Sequence, residues 1–179
     1  MVGALRFAAA ATLLLGVAAC ASVPETVAPR APVWARGEIQ TPPTPLKCVV
    51  FARDRSGIDI HGDAWTWWDQ AQGRYARETA PELGAVLVLT GYAGEKRAHL
   101  AVVRDVVSPR LIRVDHANWL NDGRIYLDDP VADVSPENDW SEVRVYNLRD
   151  GGWGLKTYAV QGFIAPHGEA DRQILASRR

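Results

Sequence analysis

A thiol and an imidazole can together cut an amide bond without a cofactor, and this chain carries such a pair at Cys48 and His99. The thiolate attacks a carbonyl carbon, while the imidazole takes the thiol proton and later returns one to the departing amine. Cys48 falls in the first turn of a predicted helix, where unpaired amides and the macrodipole favour the thiolate. Taken alone, it reads as a small buried apolar residue, the usual state of a free cysteine. His99 opens the segment HLAVVRDV, in which strand alternation puts His99, Ala101 and Val103 on one face and Leu100 and Val102 on the other. An imidazole on the small-residue face can reach a neighbouring helix. A third group must orient its ring, and Val114-Asp115-His116-Ala117-Asn118-Trp119 offers candidates. His116 and Asn118 share one face of that strand end and Asp115 takes the other, so one set alone can face a cleft. His116 is the favoured orienter, with Asn118 as polar support; Asp115 or a water is the alternative.

The elements that must hold these groups are legible in outline. Thr44 can cap a helix and Pro45 suits its first position, so Leu46 to Arg55 is expected to be helical as far as Ser56-Gly57. Asp63 can cap a second helix, in which Ala64, Trp67, Trp68 and Ala71 recur at i, i+3, i+4 and i+7 to make one apolar face. Six β-rich segments follow, at 85–90, 99–106, 110–116, 124–127, 142–146 and 157–164, separated by Gly, Pro, Asp and Asn. Helices first and strands afterwards predict an α+β fold with an antiparallel sheet.

Composition bounds the rest. The chain has 179 residues, 47% hydrophobic and 23% charged, with 20 Lys plus Arg against 21 Asp plus Glu. That balance lacks the basic footprint by which nucleic-acid binders release counterions, so no nucleic-acid partner is expected. Two cysteines, Cys20 and Cys48, make neither a disulfide framework nor a CxxC half-site for zinc. Residues 1–19 combine Arg6, an apolar run from Phe7 to Ala19 and a small-residue end, which is the layout of a signal peptide. Val17-Ala18-Ala19-Cys20 resembles a bacterial lipobox, making Cys20 the lipidation site; ordinary cleavage at an A-x-A-like site is the alternative. Either way the destination is outside the cytoplasm. The lipid reading places the protein on the periplasmic side of the envelope, with Ala21 compatible with outer-membrane sorting.

Residues 20–45 hold six of the eleven prolines (Pro24, Pro29, Pro32, Pro42, Pro43, Pro45) and read as a lipid-anchored, extended linker, with Trp34 able to dock on the domain. Residues 46–166 are long enough for one hydrophobic core, and 167–179 form a tail that is either a short helix or frayed.

Taken in order, Cys48-Val49-Val50-Phe51-Ala52-Arg53, Gly62-Asp63-Ala64 with Trp67-Trp68, Pro81-Glu82-Leu83-Gly84-Ala85-Val86, Ala98-His99-Leu100-Ala101-Val102-Val103 and His116-Ala117-Asn118-Trp119 resemble the successive motifs of CHAP domains. These are cysteine- and histidine-dependent amidohydrolases or peptidases that cut amide bonds of peptidoglycan. The resemblance covers about Cys48 to Pro166. It implies a papain-like fold, N-terminal helices packed on an antiparallel sheet, with Cys48 as nucleophile and His99 as general base. Family members commonly place Glu two residues before Asn as the third catalytic member; here those positions are His116 and Asn118. Many members place Gln before the cysteine as an oxyanion donor, where this chain has Lys47, and the glycine that often precedes the histidine is Ala98.

The implied reaction is acyl transfer through a thioester on an amide of the stem peptide or the lactamide joining peptide to sugar, with no metal or cofactor required. Trp65 and Trp119, with Asp63, are candidates to line the substrate groove, whereas Trp67 and Trp68 belong to the helix's core stripe. Two rivals remain. A zinc site would gather His99, His116 and Asp115 or Asp63, without HExxH-like spacing. A non-catalytic envelope lipoprotein would bind peptidoglycan or a partner through the same domain, and envelope regulators are possible partners of either.

Overall fold

A computed structural model of the protein describes residues 36–168. The signal segment, Cys20, Trp34 and the tail from residue 169 lie outside the described residues. The elements run β1 (Glu38–Gln40), α1 (Cys48–Ser56), a 3-10 turn (Ala64–Thr66), α2 (Trp67–Ala71), β2 (Arg77–Glu78), β3 (Val86–Thr90), β4 (His99–Ser108), β5 (Leu111–Ala117), β6 (Ile125–Asp133), β7 (Glu142–Asn147), β8 (Gly152–Trp153) and β9 (Tyr158–Ile164).

The strands neighbour one another in the order β1-β6-β5-β4-β3-β9-β7-β8, and β6 also pairs with β7. That extra pairing joins β6, β5, β4, β3, β9 and β7 into a closed six-stranded barrel, antiparallel at every seam. The expected α+β, papain-like arrangement of N-terminal helices on a sheet is therefore corrected: the described chain is mostly β, with only two short helices. The reason lies in β6, whose far end, Val131 to Asp133, pairs with Val145 to Val143 of β7 on one side while Val131 and Ala132 still pair with Ile112 and Leu111 of β5 on the other. Closure satisfies an edge that an open sheet would leave bare. β1 pairs with β6 within residues that the linker reading covers.

Two apolar layers follow from strand alternation. On β3, Leu87 and Leu89 point into the barrel with Ala101, Val103, Ile112, Val114, Val143 and Phe163. Val86 and Val88 point the other way and pack with Leu100, Val102, Ala52, Ile58 and Trp67 beneath the helices. Trp67 is wholly buried there and Trp68 half-buried, in keeping with the apolar stripe. Gly162 is required at this seam: its φ is +148°, and a Cβ would meet the Trp68 ring at 2.3 Å and the Glu78 carbonyl at 2.6 Å.

The first helix starts later than expected. Lys47 is its N-cap residue, extended at φ −96° and ψ 148° with no side-chain cap, and Thr44-Pro45 lie outside it. The chain is held straight because the Leu46 N–H donates to the Gly123 carbonyl at 3.1 Å, a tertiary bond that overrides the local helix signal. Gly57, at φ +75°, closes the helix at the predicted breaker. Asp63 precedes the 3-10 turn without a side-chain capping bond, so its carboxylate is not spent as a cap.

Candidate functional site

Starting the helix at Cys48 puts the thiol on its first residue. The first intrahelical bond runs from the Phe51 N–H to the Lys47 carbonyl, so the amides of Cys48, Val49 and Val50 are not used by the helix. Position is enforced from outside. Gly123, at φ +69°, lies so close to Pro45 that a Cβ would meet it at 2.5 and 2.8 Å, and its N–H donates to Asn118 Oδ1 at 2.8 Å. Asn118, itself at φ +61°, thus orders the turn that docks the entry to the nucleophile. Cys48 is a free, half-buried thiol. Burial pushes its pKa up, outweighing the backbone groups of Leu100, Val49 and Cys48 and the charge of Arg97, all of which favour the thiolate. The helix terminus alone therefore does not preform the thiolate, contrary to the sequence expectation, and the proton needs a base.

His99 begins β4 and is buried. Its Nε2 lies 2.9 Å from Nδ1 of His116, whose Nε2 lies 3.0 Å from Oδ2 of Asp129. One set of tautomers satisfies both bonds: Nε2–H of His116 donates to the Asp129 carboxylate, and Nε2–H of His99 donates to Nδ1 of His116. That leaves Nδ1 of His99 as the basic atom. Burial first, and His116 second, hold the His99 pKa well below its ordinary value, so the ring is neutral and able to accept a proton at neutral pH. Burial pushes the Asp129 carboxyl up, while the His116 bond pulls it down. Tyr92 and Trp119 pack on His99, with ring centroids 5.4 and 4.8 Å away; Trp119 and Tyr126 each stand 5.4 Å from His116. The Tyr92 hydroxyl donates to the Trp119 carbonyl.

Of the two faces weighed at the end of β5, His116 meets His99, whereas Asp115 turns outward and accepts from Nε and Nη2 of Arg55 at 2.9 and 2.6 Å. Asp129 was invisible to strand patterning. Three β6 residues span the distance of two on β5 between the Val114–Asp129 and His116–Tyr126 pairs. The bulge, with Asp128 at φ +51°, changes the phase of β6, so that Asp129 as well as Tyr126 faces inward. The one available signal was an aspartate inside a β-rich run, a residue type depleted there unless paired.

A cleft of about 530 Å³ opens on this pair. Cys48 and His99 line it together with Asp63, Trp65, Asn118 and Tyr92. Trp119 does not: it is 6% exposed and backs the two imidazoles rather than the groove. Among the described residues no group of three or more His, Cys, Asp or Glu could hold a metal ion, so the zinc arrangement finds no ligand set there.

Residues 39–118 match the family model of the CHAP domain. The CHAP match supports that family and, at a coarse level, a hydrolase of the amidase or peptidase kind with peptidoglycan as the suggested substrate. It takes in Cys48, His99, His116 and Asn118 and stops short of Asp129. No curated protein matches the chain.

Proposed function

We propose that the protein is a cysteine amidase or endopeptidase that cuts an amide bond of peptidoglycan from a lipid anchor at Cys20, on the periplasmic side of the envelope. The observation that carries this reading is one cleft lined by both a thiol, Cys48, and an imidazole, His99, whose Nε2 is fixed by His116 and, through it, by Asp129. Sγ of Cys48 attacks the carbonyl carbon as its proton passes to Nδ1 of His99. The oxyanion of the tetrahedral intermediate is met by the amides at the start of α1, with Lys47 standing where many CHAP members have Gln. The C–N bond breaks, His99 protonates the leaving amine, and a thioester remains. Water, deprotonated by His99, then releases the acyl group as a carboxylic acid and restores the thiol. His116 orients His99 and Asp129 holds the His116 tautomer, so the imidazolium that forms at His99 is steadied by hydrogen bonds already in place. Asn118 acts as turn support.

The test is incubation of the full chain and its Cys48→Ala variant with peptidoglycan sacculi, followed by mass spectrometry of the soluble fragments. New amine termini from the wild type alone are expected and identify the bond. Fragments from neither protein, with sacculi retained by both, would replace the hydrolase with a binding lipoprotein.

A further inference from the structure

Three cations line the cleft beside the reacting pair: Lys47, immediately before Cys48, and Lys96 and Arg97, just before His99. All three are exposed, and none forms an ion pair with a described residue. Four arginines elsewhere are paired, Arg55 with Asp115, Arg110 with Asp133, Arg113 with Asp105 and Arg149 with Asp122, while Arg104, Arg124 and Arg144 stand singly, away from the cleft wall. Among the described residues that line the cleft Asp63 is the one acid, so in a chain of net charge −1 three positive charges face one negative on that wall, with the exposed Glu95 next to Lys96 outside it. Lys96 is steadied by the Trp65 ring, with its Nζ 5.8 Å from the ring centroid, and Arg97 by backbone bonds to Gly94 and Tyr92. Like charges gathered in a concave, partly apolar wall without partners repel one another, and a ligand of opposite charge relieves that repulsion.

We infer that the cleft selects peptides carrying free carboxylates next to the scissile amide, with Lys96 and Arg97 as specificity determinants. The inference rests on the hydrolase reading for its kinetics, though not for its binding. Lys47 stands beside the nucleophile and is left unaltered in the test.

The experiment compares peptidoglycan fragments with free carboxylates against the same fragments converted to carboxamides with carbodiimide and ammonia. Amine release is followed for wild-type protein and for the Lys96→Gln/Arg97→Gln double variant. Wild type is expected to favour the free carboxylates by about tenfold in kcat/KM, on the scale of two charge contacts, and to lose that preference as salt rises. The double variant should cleave both substrates alike. Equal cleavage of both by wild type, or a preference that survives in the double variant, overturns the inference and leaves the hydrolase reading intact. If wild type cleaves neither, the hydrolase reading fails, and the affinity of Cys48→Ala for the two fragment pools decides the inference. Tighter binding of the free carboxylates then upholds it, and equal or absent binding overturns it.

Discussion

Asp115 and Asp129 sit on neighbouring strands, are 2% and 0% exposed, and meet opposite fates. Asp115 faces α1, where both its oxygens are used: one takes the Arg55 guanidinium and the other the Asp128 N–H at 2.9 Å. Asp129 faces the barrel interior, where one oxygen meets a histidine and the other has no partner among the described residues. A saturated buried charge is structural: here it fastens the nucleophile's helix to the strand carrying His116 and holds the bulge that turns Asp129 inward. An under-satisfied one costs stability and gains from any positive charge that develops nearby, as it does when His99 takes a proton. Burial alone does not mark a working carboxylate, nor does an unpartnered oxygen, which buried Asp133 beside Arg110 also has; what sets Asp129 apart is its bond to the histidine that orients His99.

The sharpest break in this comparison is Asp129→Asn. An amide in place of the carboxylate removes the anion and can present a donor to Nε2 of His116, reversing the tautomer chain. Hydrolysis should fall on the order of 10²-fold or more while urea unfolding changes by no more than about 1 kcal/mol. Asp115→Asn should do the converse. It weakens the Arg55 pair but keeps an oxygen for the Asp128 N–H, so unfolding is expected to lose about 2 kcal/mol while kcat of the folded protein stays within about threefold. Equal activity losses in the two variants would erase the distinction.

Smaller changes probe how each region is held. Gly123→Val forces a Cβ into Pro45 and strains a φ of +69°, shifting the entry to Cys48. We expect about a tenfold loss of kcat, since misplacement of the nucleophile by a fraction of an ångström is costly, with the His99–His116 bond unaffected by NMR.

The smallest effect is in the pH dependence of stability, and its sign differs between the groups. His99 is depressed, so its contribution is present above about pH 6.5 and is lost as pH falls toward its folded-state pKa. Asp129 is raised, so its contribution is present at low pH and lost as pH rises through its folded-state pKa. Between pH 4 and pH 6.5, roughly, the two oppose each other. Urea midpoints of Asp129→Asn should therefore fall more steeply on acidification than those of wild type, and those of His99→Gln less steeply.

Much of the reacting pair was legible because its signals are local. Helix initiation near Cys48, the strand opening at His99 and the alternation that separates His116 from Asp115 each need only a few neighbours. What escaped depends on distant partners. Leu46 leaves the helix because Gly123 claims its N–H, Trp119 leaves the groove because two imidazoles need a wall, and Asp129 turns inward through a bulge held by Asp115. The six longer strands were found to within a few residues except at the far end of β6, which continues to Asp133. Periodicity says nothing of that strand's second partner, and barrel closure hangs on it. The two- and three-residue strands β1, β2 and β8 are too short to carry any period.

A nucleophilic Cys48 must form a covalent bond to the substrate. Intact-protein mass spectrometry of the full chain, acid-quenched during digestion of peptidoglycan fragments, tests it directly. An acyl adduct mapped to Cys48, accumulating in wild type and absent from Cys48→Ala, is predicted. Amine release that proceeds without an adduct and survives in Cys48→Ala would contradict it.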